Sequence, residues 1–258
     1  MNKLKISLVQ SDLYWENIDS NLNKFESEIL KAENANIFVL PEMFNTGFTN
    51  NVTNCSDTID GKTVTWMKNI SSVKNAVICG TIIIEDGGKF YNRFVFAFPN
   101  GKVLFYDKKH LFGMGGEGDI FSSGNNRIII EIGAFKILPL ICYDLRFPVW
   151  SRNFDDYDAI IYTSSWPASR RNNWDVLLQA RAVENQCYVV GVNRVGIDGN
   201  NINYDGGSCI IDPAGNKILA ANNDKEEIVS GIIDKAELDS FRKKFPFLKD
   251  RDDFLFKV

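Results

Sequence analysis

One histidine, His110, stands alone in the 258 residues, and that scarcity removes several chemistries at once. Zinc is held by several His or Cys ligands, and the five cysteines (Cys55, Cys79, Cys142, Cys187, Cys209) show no Cys-x-x-Cys spacing, so no metal is expected. A Cys–His catalytic pair would have to use His110, which is read instead as a structural hydrogen-bonding residue. The odd cysteine count, with Cys79, Cys187 and Cys209 inside apolar runs, fits a reduced, cytoplasmic protein without disulfides. No run of about eighteen apolar residues occurs, so no membrane span is expected. Met1–Ser7 enters strand-like sequence directly, without the apolar core and cleavage site of a signal peptide. No basic block is present. The 29 Lys and Arg against 33 Asp and Glu leave a net charge of −4, so neither nucleic acid nor a membrane surface is expected as a partner. There is no Walker A sequence. Gly113-Met114-Gly115-Gly116-Glu117-Gly118 formally matches GxGxxG, but Asp119-Ile120-Phe121-Ser122-Ser123-Gly124 behind it reads as loop rather than helix, which argues against a dinucleotide.

What is present is an alternation of short apolar runs with helical patterns. Val/Ile/Phe-rich runs recur at 5–9, 76–84, 94–98, 102–106, 127–131, 136–141, 159–163, 188–193, 208–212 and 228–233, with the lengths of buried strands. Between them, Ile18, Leu22, Phe25 and Ile29 line one face of a helix whose other face carries Lys24, Glu26, Glu28 and Lys31. A second helix is predicted to start near Trp174, with Leu177, Leu178 and Ala182 inward, and to end before Tyr188. Regular alternation argues for an α/β fold, and without a linker, repeat or low-complexity tract the expectation is one domain over 1–258. The stretch 237–258 is polar with embedded Phe241, Phe245, Phe247, Phe254 and Phe256. Such a tail needs a surface to cover, on its own domain or on a dimer partner.

Three of these runs end on chemistry. Cys142 closes Leu138-Pro139-Leu140-Ile141 at a tight polar turn, where the amide ends of a following helix would favour the thiolate and could hold an oxyanion. Asn36–Leu40 leads through Pro41 to Glu42, and Lys102–Tyr106 leads through Asp107 to Lys108 and Lys109. In α/β sheets, sites collect beyond the carboxyl ends of strands. A free cysteine is usually a buried small hydrophobe, a loop glutamate is usually solvated, and a lysine is usually on the surface. Three such ends carrying a thiol, an acid and a cation are harder to dismiss together.

The chain resembles the nitrilase superfamily, the carbon–nitrogen hydrolases. The resemblance rests on Leu40-Pro41-Glu42-Met43-Phe44, on Lys108-Lys109-His110-Leu111, and on Ile141-Cys142-Tyr143-Asp144-Leu145-Arg146-Phe147-Pro148, and it also takes in Arg181-Ala182-Val183-Glu184-Asn185 and the Asp212–Gly215 turn. The family's lysine motif reads Arg-Lys-x-His-Leu. Asp107 stands in its first position here, so the register rests on His110-Leu111 and assigns the family lysine to Lys108. A narrower resemblance, to the bacterial omega-amidase branch, is carried by Phe44–Thr49, Gly113–Glu117, Arg146–Asn153 with Val149 in place of the usual acid, and Phe245–Asp250. The resemblance implies a four-layer αββα sandwich and a tail that helps to build a homodimer.

It also implies a mechanism. Cys142 would attack an amide carbonyl and form a thioester, with Glu42 moving protons first to the leaving nitrogen and then from water. Lys108 and the Tyr143 backbone N–H would hold the oxyanion, and Glu117 would orient Lys108 or the substrate. No cofactor is needed. Omega-amidases act on 2-oxoglutaramate and 2-oxosuccinamate, so a receptor for a substrate carboxylate is expected. Arg170 and Arg171 are the candidates, Phe48 and Trp166 are candidate pocket walls, and Arg146 is read as structural along with Arg181 and Glu184. The rival readings are an N-carbamoyl or aliphatic amidase with the same three residues, and a catalytically silent binding scaffold, which would be expected to lack one of them.

Overall fold

The computed structural model describes residues 2–255, and within them two six-stranded sheets face each other. The first consists of β1 (Lys3–Gln10), β2 (Ile37–Val39), β3 (Val77–Asp86), β4 (Lys89–Ala97), β5 (Val103–Asp107) and β14 (Glu227–Asp234), in the order β14-β1-β2-β3-β4-β5. The second consists of β6 (Ile130–Ile132), β7 (Phe135–Ile141), β8 (Ala159–Ser164), β9 (Tyr188–Asn193), β12 (Cys209–Ile211) and β13 (Lys217–Ala220), in the order β13-β12-β9-β8-β7-β6. A separate hairpin pairs β10 (Val195–Ile197) with β11 (Asn203–Asp205). The main helices are α1 (Ile18–Lys31), α3 (Lys62–Lys74), α6 (Arg171–Asn185) and α7 (Lys235–Lys244); α2 (Val52–Cys55), α4 (Glu117–Ile120) and α5 (Pro148–Ser151) are single turns.

Strand alternation sorts the side chains into layers, because successive residues of a strand face opposite sides of the sheet. From β1 and β2, Leu4, Ile6, Leu8, Ile37 and Val39 enter the core shared with Ile137, Ile161, Val190 and Val192 of the second sheet. Val9 and Phe38 turn the other way, onto Leu22, Phe25 and Ile29 of α1 and Val64, Met67 and Ile70 of α3. Trp174, Leu178 and Ala182 of α6 are buried on the far side of the second sheet. The result is the expected αββα order. No helix among the described residues is long and apolar enough to cross a membrane.

Several boundaries differ from the pattern in the sequence. The run at 127–131 becomes a strand only at Ile130–Ile132, and α6 begins at Arg171, three residues before Trp174, because Arg171, Asn172 and Asn173 add a polar first turn that apolar periodicity does not register. Helix α3 was not anticipated. Its alternating Thr, Ser and Lys content masks the buried stripe of Val64, Met67 and Ile70. The tail opens with α7 and packs on its own domain: Arg242 donates to the carbonyls of Gln186 and Tyr157 (2.8 and 2.6 Å), and Phe254 packs edge-on against Phe154. Phe256 lies outside the described residues.

The topology brings strand ends together. Strands β7, β8 and β9 run parallel, with Ile141 opposite Thr163 and Ser164 opposite Asn193, so the residues that follow them form one rim. On the first sheet the chain leaves β2 and stays against β3, with Leu40 N–H bonded to Cys79 O (2.7 Å) and Phe44 N–H to Thr81 O (3.1 Å). Gly80 makes that approach possible, because a Cβ there would meet Leu40 Cβ at 2.7 Å and Phe44 Cδ1 at 2.8 Å. Gly80→Ala should therefore cost about 1–3 kcal/mol of stability by overpacking and should displace the segment that carries Glu42. Thermal unfolding together with an activity assay checks this; an unchanged melting temperature would refute it.

Candidate active site

Each side chain of the site is held by a deviation from regular structure. Cys142 follows β7 with φ of +41°, and Met43, beside Glu42, has φ of +46°. Both lie in the left-handed region, which non-glycine residues occupy only where the surrounding structure imposes it. At Cys142 the constraint is Asp144. This buried carboxylate accepts from Ile141 N (3.1 Å) and Tyr106 OH (2.9 Å) on one oxygen, and from His110 N (3.0 Å) on the other, which also meets His110 Nδ1 at 2.8 Å. It thus ties the turn after β7 to the segment just beyond Lys108. Arg181 adds a second tether by donating to Leu145 O (2.7 Å) while pairing with Glu184 (3.0 Å). His110 stacks on Phe147 with ring centroids 3.7 Å apart, the structural role expected of it.

Behind Cys142 lies a fully buried charge cluster. Lys108 Nζ, 1% exposed, donates to Glu42 Oε1 (2.9 Å) and to both oxygens of Glu117 (3.0 and 2.7 Å). Glu42 Oε2 accepts from Ser165 N–H at the end of β8 (2.8 Å), and Glu117 Oε2 from Phe112 N–H (2.6 Å). Glu117 is therefore not a solvated loop acid. Its side chain turns into the protein from the otherwise exposed single turn α4, in a segment that the sequence presented as loop because its glycines mask the turn. Asn92 Nδ2 donates to Glu42 Oε1 (2.8 Å) and Glu117 Oε1 (3.2 Å), a member of the cluster that sequence reasoning missed.

The electrostatics correct one expectation. The thiol of Cys142 is not tuned down by a helix terminus. Burial, and then the Glu42 carboxylate, push it above its usual value, outweighing Lys108, the Ser164 hydroxyl and the Ser165 N–H, which favour the thiolate. The helix that follows is only a five-residue 3₁₀ turn, Cys142–Arg146, whose aligned dipole is small. Burial also opposes the charge on Lys108, but Glu117 and Glu42 more than offset it and hold the ammonium protonated. Cys142 thus rests as a thiol near the Glu42 carboxylate.

Cys142 opens onto a cavity of about 660 Å³ lined by Tyr143, Phe48, Trp166, Phe112, Arg146 and Arg170, among others. Arg171 is not brought there: its guanidinium pairs with Asp175 and Asp205 at 3.1 Å each, because α6 starts at that residue and turns it outward. Arg146, read as structural, is brought there instead, lying over the Trp166 ring at 4.8 Å, and Arg170 lies over Phe112 at 5.4 Å. Among the described residues neither guanidinium makes an ion pair. Trp15, Glu16 and Tyr204 complete the far wall, with Tyr204 arriving on the β10–β11 hairpin. No group of three or more His, Cys, Asp or Glu among the described residues is placed to hold a metal ion.

The model of the carbon–nitrogen hydrolase family matches residues 5–243. This chain belongs to the carbon–nitrogen hydrolase family. It is 42% identical over 254 residues to the omega-amidase YafV of Escherichia coli K12, covering 98% of this chain and 99% of that protein. It is 32% identical to the 2-oxoglutaramate amidase of Bacillus subtilis, covering 96% and 97%. The crystal structure of a carbon–nitrogen hydrolase superfamily protein from Xanthomonas campestris, with an arsenic adduct in its active site, superposes with a TM-score of 0.96 at 36% identity, covering 99% of this chain and 100% of that one. The carbon–nitrogen hydrolase assignment made from the motifs and the αββα sandwich are thereby supported over the whole length.

The raised Cys142 thiol has a consequence for stability. An unfolded thiol ionises near 9.0 while the folded one keeps its proton, so the contribution of Cys142 is fully present below pH 9.0 and is lost as pH rises toward the folded value. Cys142→Ala should therefore lessen the alkaline loss of stability by about 1.4 kcal/mol per pH unit above that point. Urea unfolding at about pH 8 and about pH 10.5 measures the difference, and equal losses in the two proteins would contradict it.

Proposed function

We propose that this carbon–nitrogen hydrolase is an omega-amidase, converting the terminal amide of a short 2-oxo dicarboxylic acid, 2-oxoglutaramate or 2-oxosuccinamate, to the 2-oxo acid and ammonia. The observation that carries the reading is Arg146, a guanidinium without a carboxylate partner among the described residues, in the cavity onto which Cys142 opens. An arginine over an indole, without an ion pair among the described residues, suits a planar carboxylate that accepts two parallel hydrogen bonds. The 42% and 32% identities to an omega-amidase and a 2-oxoglutaramate amidase support the same substrate class.

In the proposed reaction, Cys142 Sγ attacks the amide carbonyl as Glu42 takes the thiol proton. The negative oxygen is held by Lys108 and the Tyr143 N–H. Collapse breaks the carbon–nitrogen bond, Glu42 returns the proton to the departing ammonia, and a thioester remains. Glu42 then deprotonates a water that attacks the thioester, and the 2-oxo acid leaves as the thiol is restored. Glu117 contributes by gripping Lys108 with both oxygens, which keeps the cation charged and aimed. Phe48, 5.5 Å from Lys108 Nζ, and Trp166 exclude water from the reacting atoms. We also place the protein in a reducing cytoplasm, where its five cysteines stay free, and as a homodimer whose partner covers Val176 and Val183, exposed two turns apart on α6.

Ammonia release from 2-oxoglutaramate tests the reading. Wild type should release it, and Cys142→Ala should not. Arg146→Met should lower kcat/KM for the oxo acid amide by about 10- to 100-fold, the worth of a lost charged hydrogen-bond pair, and spare an uncharged aliphatic amide. Turnover of N-carbamoyl or aliphatic amides in place of the oxo acid amides would reassign the substrate. Release that persists in Cys142→Ala would overturn the mechanism.

A further inference from the structure

Asn92 has no part in the steps above, yet it is bound to both carboxylates of the cluster. Its side chain is fully buried on β4, a strand that otherwise continues as Phe94, Val95 and Phe96 into the core. A polar residue in such a strand is tolerated only when its hydrogen bonds are met. Here they are met on one side only. Nδ2 donates to Glu42 Oε1 at 2.8 Å and to Glu117 Oε1 at 3.2 Å, while Oδ1 is buried with no partner. The backbone carbonyl of Asn92 accepts from Lys108 N–H at 3.0 Å, so one residue holds all three charged groups.

The geometry around the two near oxygens is specific. Glu42 Oε1 and Glu117 Oε1 each accept one hydrogen bond from Lys108 Nζ and one from Asn92 Nδ2. Two acids face one ammonium in a dry site. Where two carboxylates come together in a dry site they can share a proton. A base that must accept a thiol proton cannot already carry one. The Asn92 amide puts two neutral donors between the oxygens, where a shared proton would otherwise sit, and adds no charge of its own.

We infer that Asn92 is a positioning residue that keeps Glu42 aimed at Cys142 and able to take its proton, by placing its amide N–H groups between Glu42 and Glu117. The inference rests on the reading of Glu42 as the base for Cys142. It does not depend on which amide is the substrate. An apolar residue at 92 would leave no orphaned oxygen, so what the amide adds to the cluster is its donors.

The test uses the full chain and reads Cys142 directly. The rate of alkylation of Cys142 by iodoacetamide is followed against pH in wild type, Glu42→Gln, Asn92→Asp and Asn92→Ser, alongside the pH profile of 2-oxoglutaramate hydrolysis. In both Asn92 variants the acid limb should move to higher pH by about one unit, because loss of donors, or an added acid, makes Glu42 harder to ionise. KM should change little while kcat falls on the acid side. Asn92→Ser gives the same reading should the Asp variant not fold. Folded variants whose acid limbs superpose on wild type would overturn the inference and leave Asn92 a structural residue. Alkylation that is indifferent to Glu42→Gln would remove the base and the inference together. Alkylation that follows Glu42 in a wild type releasing no ammonia from 2-oxoglutaramate would overturn the substrate reading alone, and the shift in the Asn92 variants would still decide the inference.

Discussion

A lysine with two glutamates, removed from water, is the constraint on which this site depends. Ion pairs in a dry interior are favourable only when every partner is held at hydrogen-bond distance, because the lost hydration is otherwise uncompensated. Lys108, Glu42 and Glu117 meet that condition through contacts of 2.7 to 3.0 Å and through donors from Ser165, Phe112 and Asn92. Those donors come from the end of β8, from the middle of β4 and from the loop before α4. The cluster is complete only when both sheets are in place.

The same arrangement separates rest from reaction at Cys142. With the thiol pushed up by burial and by Glu42, the proposed reaction forms its nucleophile only as a substrate carbonyl stands over the sulfur and the proton moves to the neighbouring carboxylate. A permanently ionised cysteine in an open cavity would react with any passing electrophile. The lysine is held in the opposite state: its two acids keep it charged, so in the proposed reaction its positive potential would meet the oxyanion without reorganisation.

Support for this geometry reaches well outside the cavity. Asp144 joins the cysteine turn to the segment following Lys108 through four polar contacts, and Tyr106 extends that network to Trp150 Nε1 at 3.0 Å. Arg181 anchors the same turn to α6. These residues touch no substrate in the proposed reaction, but they maintain the left-handed backbone at Cys142 and thus the direction of its sulfur.

Local pattern alone determined the alternation of strands and helices, the two-layer burial of β1 and β2, the buried face of α1, and the strand-end positions of Glu42, Lys108 and Cys142. All of these are set by periodicity and by the turn that follows an apolar run. Only the tertiary structure decided that Glu117 is buried, that Arg146 rather than Arg171 faces the cavity, that the tail packs on its own domain, and that the Cys142 thiol is pushed up. The physical reason is common to the four. Burial and charge environment depend on residues far away in the chain, Glu42 and Lys108 lying 66 residues apart and Glu42 and Ser165 lying 123 apart. Asn92 shows the limit most clearly. In the sequence it is an asparagine beside a tyrosine and an arginine ahead of an apolar run, with no spacing to mark it, and its role exists only where the segment after β2 and the turn α4 bring their carboxylates to it.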